Sequence, residues 1–311
     1  MMTQNSDINF AKLVWQPGWH LIVFMFLMFA QTAQAQDLPK GFTYLRDIDT
    51  TIVQDIRYYG RHNFLGRKVE GYESRLCILT RAAAIALHNV QDYLLQRKLS
   101  LVIYDCYRPM RAVEDITTWV RAPGDSALKR EFYPTFDKSQ LFSQQFLNRH
   151  LSHTRGSSVD VAIVPIPILP IRPFRAGDAL KACHGAYGAR RRDNALDFGS
   201  GFDCFHERSQ TDNRGISEAA KKNRKLLLDA MKQEGFVNDS QVWWHFRLQK
   251  ETYPKTSFDF PINSKGVLDK QGLQRKMRPQ LGPVRSAPAT RLSRPSKPKP
   301  APGALIYGPV R

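Results

Sequence analysis

Long apolar runs are scarce in this 311-residue chain. Leu21–Ala30 (LIVFMFLMFA) is too short to cross a hydrocarbon core of about 30 Å comfortably, but it suits the apolar region of a signal peptide. Ala33-Gln34-Ala35 follows as a small-x-small pattern. Residues 1–35 are therefore expected to be a signal peptide cleaved before Gln36, with export to the periplasm. No cysteine stands at the cleavage point, which argues against a lipid anchor. Cysteines are few: Cys77, Cys106, Cys183 and Cys204. None has the C-x-x-C spacing of a zinc ribbon or a redox motif. In an oxidising compartment they are expected to pair. Three pairings are possible, and the most local is Cys77 with Cys106 and Cys183 with Cys204. That pairing would staple two loops rather than build a site. No internal repeat is visible.

Acids are also in short supply. The chain has 46 Lys and Arg against 28 Asp and Glu, a net +18. Much of the imbalance sits at the end. Lys265 to Arg311 holds 11 basic residues and one acid, Asp269, and eight of the 19 prolines. A polar, proline-rich segment of one charge sign cannot bury enough surface to fold. Residues 263–311 are expected to be a disordered arm whose charge favours anionic envelope surfaces or has no specific partner. No nucleic acid partner is expected, since no binding motif is present.

What remains, residues 36–262, has the makings of one domain. Over the whole chain hydrophobic content is 42%, with 18 Phe, 11 Tyr and 5 Trp, enough for a sizeable core. Thr50–Tyr58 reads as a strand. Thr80–Arg97 reads as a helix with Ala82, Ile85, Ala86, Val90 and Tyr93 on one face. Leu101–Tyr107 reads as a buried strand ended by Pro109, with a helix starting near Arg111. Val159–Val164 is a strand with Asp160 on the face opposite its valines. A long Pro-, Gly- and Arg-rich connection follows, of the kind that forms lids or rims. Ile216–Glu234 is a helix capped by Gly235, and Gln241–Leu248 a last strand. Separated strands and helices imply an α+β fold with one mainly antiparallel sheet, flanked by helices.

The chemistry concentrates in SHTRGSSVDVAIV, Ser152–Val164, and in VWWHF, Val242–Phe246. An Asp amid strand valines is costly unless paired, and a metal removes that cost. Imidazole and carboxylate suit zinc, whose catalytic sites use three protein ligands and leave one position open. His153, Asp160 and His245 form such a set. Each taken singly has a plainer reading: a satisfied histidine, a salt-bridged Asp, a structural Arg108, two core tryptophans.

Together, S-H-x-x-G-x-x-x-D, a W-W-H and an upstream D-x-Y-R-P resemble the zinc D-alanyl-D-alanine dipeptidases. The resemblance runs from about Thr50 to Leu248 and includes DIRYYGRHNF, GYESRLCILT, LDFGSGFDCFHERS and NRKLLLDAMKQEGF. It implies one zinc held by His153, Asp160 and His245, with Arg108 stabilising charge on the carbonyl oxygen in the transition state. It also implies Asp203 and Tyr58 at the substrate's ammonium group and Ser152 at its carboxylate end. Ser158 stands where the family commonly has Ala.

One piece is absent. The family reads E-W-W-H, and here Val242 takes the place of the glutamate. That Glu is the general base, passing a proton from the attacking water to the leaving amine. Loss of such a group costs about 10²–10⁴-fold. Gln241 is neutral and, on a strand, points away from Val242. Nothing in the sequence places Asp239 or Glu234 at the metal. Three readings follow. The chain is a slowed D-Ala-D-Ala dipeptidase, a pseudoenzyme that binds D-Ala-D-Ala or peptidoglycan stems, or a D,D-carboxypeptidase on longer wall peptides. The ammonium pocket at Asp203 disfavours the last.

Overall fold

The computed structural model describes residues 38–264 apart from 145, 148 and 149 and the side chain of His150. The proposed signal peptide and the basic arm lie outside the described residues, save its first two positions. Among the described residues no helix is long and apolar enough to cross a membrane.

The fold is α+β. Strands β1 (Phe42–Tyr44), β2 (Val53–Gln54) and β3 (Ile78–Thr80) precede helix α1 (Arg81–Leu95) and strand β4 (Leu99–Asp105). Helices α2 (Met110–Arg121), α3 (Lys129–Phe132) and α4 (His150–His153) lead to β5 (Ser158–Pro165), α5 (Glu218–Gln233), β6 (Phe236–Asn238) and β7 (His245–Leu248). The main sheet has the order β2-β4-β5-β7-β6, and β1 pairs with β3 separately. Only β2–β4 is parallel; the other three pairings of the main sheet are antiparallel. β5 is buried from Ser158 through Val164, so it is covered on both faces.

Register aligns the site. Asp105 on β4 pairs with Asp160 on β5, which pairs with His245 on β7. Three polar side chains thus form a row across the middle of the sheet, amid a core of Val, Ile, Trp and Phe.

Several local expectations shift. In α1 the buried stripe is Ala83, Ala84, Ala86, Leu87, Val90, Gln91 and Leu94, so Ala86 and Val90 are buried as expected while Ala82 and Ile85 face solvent. The Gln91 amide accepts from Leu101 N–H (2.8 Å) and donates to Ser100 Oγ (2.9 Å), tying α1 to β4. The strand expected over Thr50–Tyr58 is only Val53–Gln54, because Arg57–Tyr59 tightens into a 3₁₀ turn. The last strand begins at His245, and residues 241–244 form its approach. Strand alternation therefore does not govern Gln241 and Val242. Helix α5 keeps its stop: Gly235 has φ +79°, the left-handed conformation that glycine adopts freely.

The disulfides are Cys77–Cys106 and Cys183–Cys204. The first does more than staple loops, since the Cys106 carbonyl holds His153 (2.7 Å).

Candidate metal centre and substrate cavity

His153 ends α4, and the chain turns at Gly156, three residues on. Gly156 has φ +72°, and a Cβ there would lie 2.2 Å from the Phe42 ring. Only glycine fits both the angle and the space. The turn feeds β5 and so fixes His153 relative to Asp160.

His153 Nε2, Asp160 Oδ1 and His245 Nδ1 converge. The separations are 3.1 Å between the two nitrogens, 3.3 Å from His153 to Asp160 and 2.9 Å from His245 to Asp160. All three side chains are buried. Tetrahedral coordination with bonds of about 2.0–2.1 Å sets ligand atoms about 3.3 Å apart, so the spacing fits. Protonation fits too. His153 Nδ1 faces the Cys106 carbonyl, which only accepts, so in the neutral ring Nε2 carries a bare lone pair. That lone pair faces a second ring nitrogen and a carboxylate oxygen. Such a carbonyl-anchored histidine is the usual outer support of a metal ligand. On the far side of His245, Nε2 meets Ser152 Oγ at 3.2 Å. Ser152 thus touches a candidate ligand histidine. Burial alone would raise the Asp160 carboxyl, but the charges and hydrogen bonds of His153 and His245 hold it well below the ordinary range.

Arg108 is fully enclosed. It donates to Asp105 Oδ2 through Nε (2.9 Å) and Nη2 (2.7 Å) and lies 3.6 Å from Asp160 Oδ2. Its guanidinium sits 4.8 Å from the centre of the Tyr58 ring. Asp105 in turn accepts from Tyr72 Oη at 2.6 Å. Sequence reasoning gave no role to Asp105 or Tyr72. The signal available was the first letter of D-x-Y-R-P, since an arginine buried beside apolar strands requires a carboxylate partner.

Tyr58 Oη donates to Asp203 Oδ2 at 2.8 Å, which brings together two residues 145 positions apart. Asp203 has φ +54°, a left-handed conformation that Asp tolerates better than most residues. Burial raises its carboxyl to about 8, reinforced by the Asp160 charge and opposed by the Tyr58 hydrogen bond. A small enclosed cavity is lined by Tyr58, Arg108, Asp160, Asp203, Phe205 and Trp244, with Phe146 completing the wall.

Val242 is fully buried in the apolar core and is not among the residues that line this cavity. Glu234 accepts from Asn89 on α1 (2.8 Å), and Asp239 accepts from the Gln241 N–H (3.0 Å). Neither lines the cavity. Its carboxylates are Asp160 and Asp203. Trp243 is core: it stacks on Phe198 and donates to Ser200 Oγ (3.0 Å).

The family model for Peptidase M15, described as D-ala-D-ala dipeptidase, matches residues 39–165 and 189–263. A D-alanyl-D-alanine dipeptidase of Enterococcus faecalis is 29% identical over 73% of this chain and all of its own length. One from Enterococcus faecium is 30% identical over 71% of this chain and 98% of its own. One from Escherichia coli is 29% identical over 66% of this chain and 84% of its own.

Proposed function

The chain belongs to peptidase family M15, the D-ala-D-ala dipeptidases, and on that premise we propose that it hydrolyses D-alanyl-D-alanine in peptidoglycan metabolism, using one zinc ion. The observation that carries the reading is a cavity lined by a buried arginine, a Tyr–Asp pair and Asp160, the acid of the His–Asp–His donor set. His153, Asp160 and His245 would hold the ion, and its chemistry when bound is Lewis acidity toward the peptide carbonyl and the attacking water. Arg108, locked by Asp105, presents a fixed positive charge to the oxygen that becomes negative in the transition state. Asp203 and Tyr58 receive the substrate's ammonium group. A carboxyl held neutral by burial ionises when that cation arrives, since an opposite charge favours the charged form. Ser152 acts at the carboxylate end and orients His245.

Val242 occupies the place of the proton carrier, so turnover is slowed by about 10²–10⁴-fold in this reading. A second reading, a protein that binds D-Ala-D-Ala or stem peptides with little cleavage, is favoured by one observation. The cavity's only carboxylates among the described residues are a metal ligand and the ammonium-binding Asp203. The location proposed is the periplasm. Support comes from the apolar segment Leu21–Ala30 and from four cysteines engaged in two disulfides, which persist in oxidising compartments. The basic arm is proposed to face anionic envelope surfaces.

The test measures zinc content and D-Ala-D-Ala hydrolysis for the intact chain beside His153→Ala and His245→Ala. One zinc per chain that both variants lose, with measurable hydrolysis, supports the dipeptidase. Zinc and dipeptide binding without hydrolysis support the second reading. Full zinc retention in both variants overturns the site.

A further inference from the structure

Residues 166–188 fall between the two stretches matched by the family model, and they carry most of the exposed large hydrophobic residues among the described ones. Of the eight large hydrophobic residues exposed among the described residues, five are here. Ile166, Ile168, Leu169 and Ile171 are 40%, 43%, 61% and 42% exposed, and Tyr187 is 45% exposed. Aliphatic side chains exposed together on a surface loop mark a contact with something apolar.

With the four residues that follow it, the segment is strongly basic. Residues 166–192 contain six Arg or Lys and one acid, Asp178, a formal +5. Structure brings the two properties together. A surface depression is lined by Leu169, Ile171, Arg172, Lys181, Arg191 and Arg192. Asn194 Nδ2 donates to the Leu169 carbonyl, and Arg191 Nη2 donates to the Arg172 carbonyl at 3.3 Å. These bonds hold the aliphatic run beside the arginines. Asp178 receives both Arg172 and Arg191, while among the described residues no carboxylate lies within ion-pair distance of Arg175, Lys181 or Arg192.

We propose that this insertion, with the arginines that follow it, docks the protein on an anionic phospholipid surface. Ile168 and Leu169 enter the acyl boundary, and Arg172, Arg175, Lys181 and Arg192 meet the headgroup phosphates. Apolar area and positive charge together are what interfacial binding uses. A second copy of the chain is a poorer occupant, since it would set one basic patch against another. A nucleic acid would leave the aliphatic side chains without a partner. The inference stands independently of the dipeptidase reading.

The test uses the full chain and vesicles of phosphatidylglycerol and phosphatidylcholine in equal parts, beside vesicles of phosphatidylcholine alone. Because the N-terminal apolar segment and the basic arm can also bring protein to a vesicle, the reporter is local. Leu169→Trp is read as its emission difference from the unchanged chain. A blue shift with the anionic vesicles is expected, and little with the neutral ones. The double change Ile168→Ser with Leu169→Ser is expected to weaken anionic vesicle binding by about tenfold, and Arg175→Glu with Arg192→Glu by at least as much, at about 1 kcal/mol per basic residue. These positions are exposed, so folding is preserved, checked by an unchanged melting temperature. Sedimentation with vesicles without a local blue shift overturns the proposal. So does a lipid-free dimer that the Ser variant dissociates, which would assign the patch to a second copy.

Discussion

Val242→Glu restores the carboxylate that the family places three residues before the candidate ligand His245. The root of the new side chain is fixed. Val242 N–H donates to the Asp239 carbonyl and its own carbonyl accepts from Asn238 Nδ2, each at 3.1 Å. The position is fully enclosed by apolar groups. A carboxyl buried there without a donor costs about 1–3 kcal/mol. The extra volume costs about 1–3 kcal/mol more. At about 2–4 °C per kcal/mol for a unit of this size, the melting temperature falls by between about 4 and 24 °C. Burial also raises the pKa of the introduced carboxyl, which suits a group that must take and return a proton near neutral pH. Activity is expected to rise by about 10²–10⁴-fold. The assay follows D-alanine release from D-Ala-D-Ala by zinc-loaded wild type and variant in one buffer, with thermal melts of both. A wild type already as fast as a folded Val242→Glu chain would refute the reasoning: the proton would then be carried by a group other than residue 242.

Three further outcomes are expected. Asp105→Asn leaves Arg108 buried without its carboxylate, so stability should drop by about 3–5 kcal/mol, while Tyr72→Phe should cost only about 1 kcal/mol; equal losses in denaturant titrations would argue against an Arg108–Asp105 anchor. Asp203 is raised to about 8 in the folded chain by burial, so it holds its proton there while the unfolded chain releases it from about pH 4 upward. Its stabilising contribution is therefore full at low pH and is lost as pH rises toward 8, and wild type should lose stability relative to Asp203→Asn across that window; a difference between the two that does not change with pH would remove the assignment. Replacing Cys77 and Cys106 by Ser opens a loop with a sequence separation of 29, a loss of about 3–4 kcal/mol. Zinc affinity should fall with it, because the Cys106 carbonyl anchors His153; unchanged affinity by competitive chelation would separate the disulfide from the metal centre.

The amino-acid sequence determined much of this protein locally. A β-branched run set β5, an uninterrupted helical period set α1 and α5, and Pro109 set where β4 gives way to α2. The candidate ligands His153, Asp160 and His245 were readable because an ionisable residue amid strand valines, or beside two tryptophans, has few inexpensive explanations. The most local cysteine pairing is also the one in the structure. Other features depended on contacts between distant segments. That α1 buries a polar residue, Gln91, among its apolar ones follows from the bonds of Gln91 to β4. The support of Arg108 by Asp105 and Tyr72, and of His153 by a backbone carbonyl, needed the β4–β5–β7 register. The Tyr58–Asp203 bond joins residues with no local relation. Val242 was visible as a substitution, but its enclosure in the core and its absence from the cavity wall were not. Period and composition encode which residues seek the interior. Which polar groups meet there depends on how strands align and loops close, and that is settled only when the whole sheet is assembled.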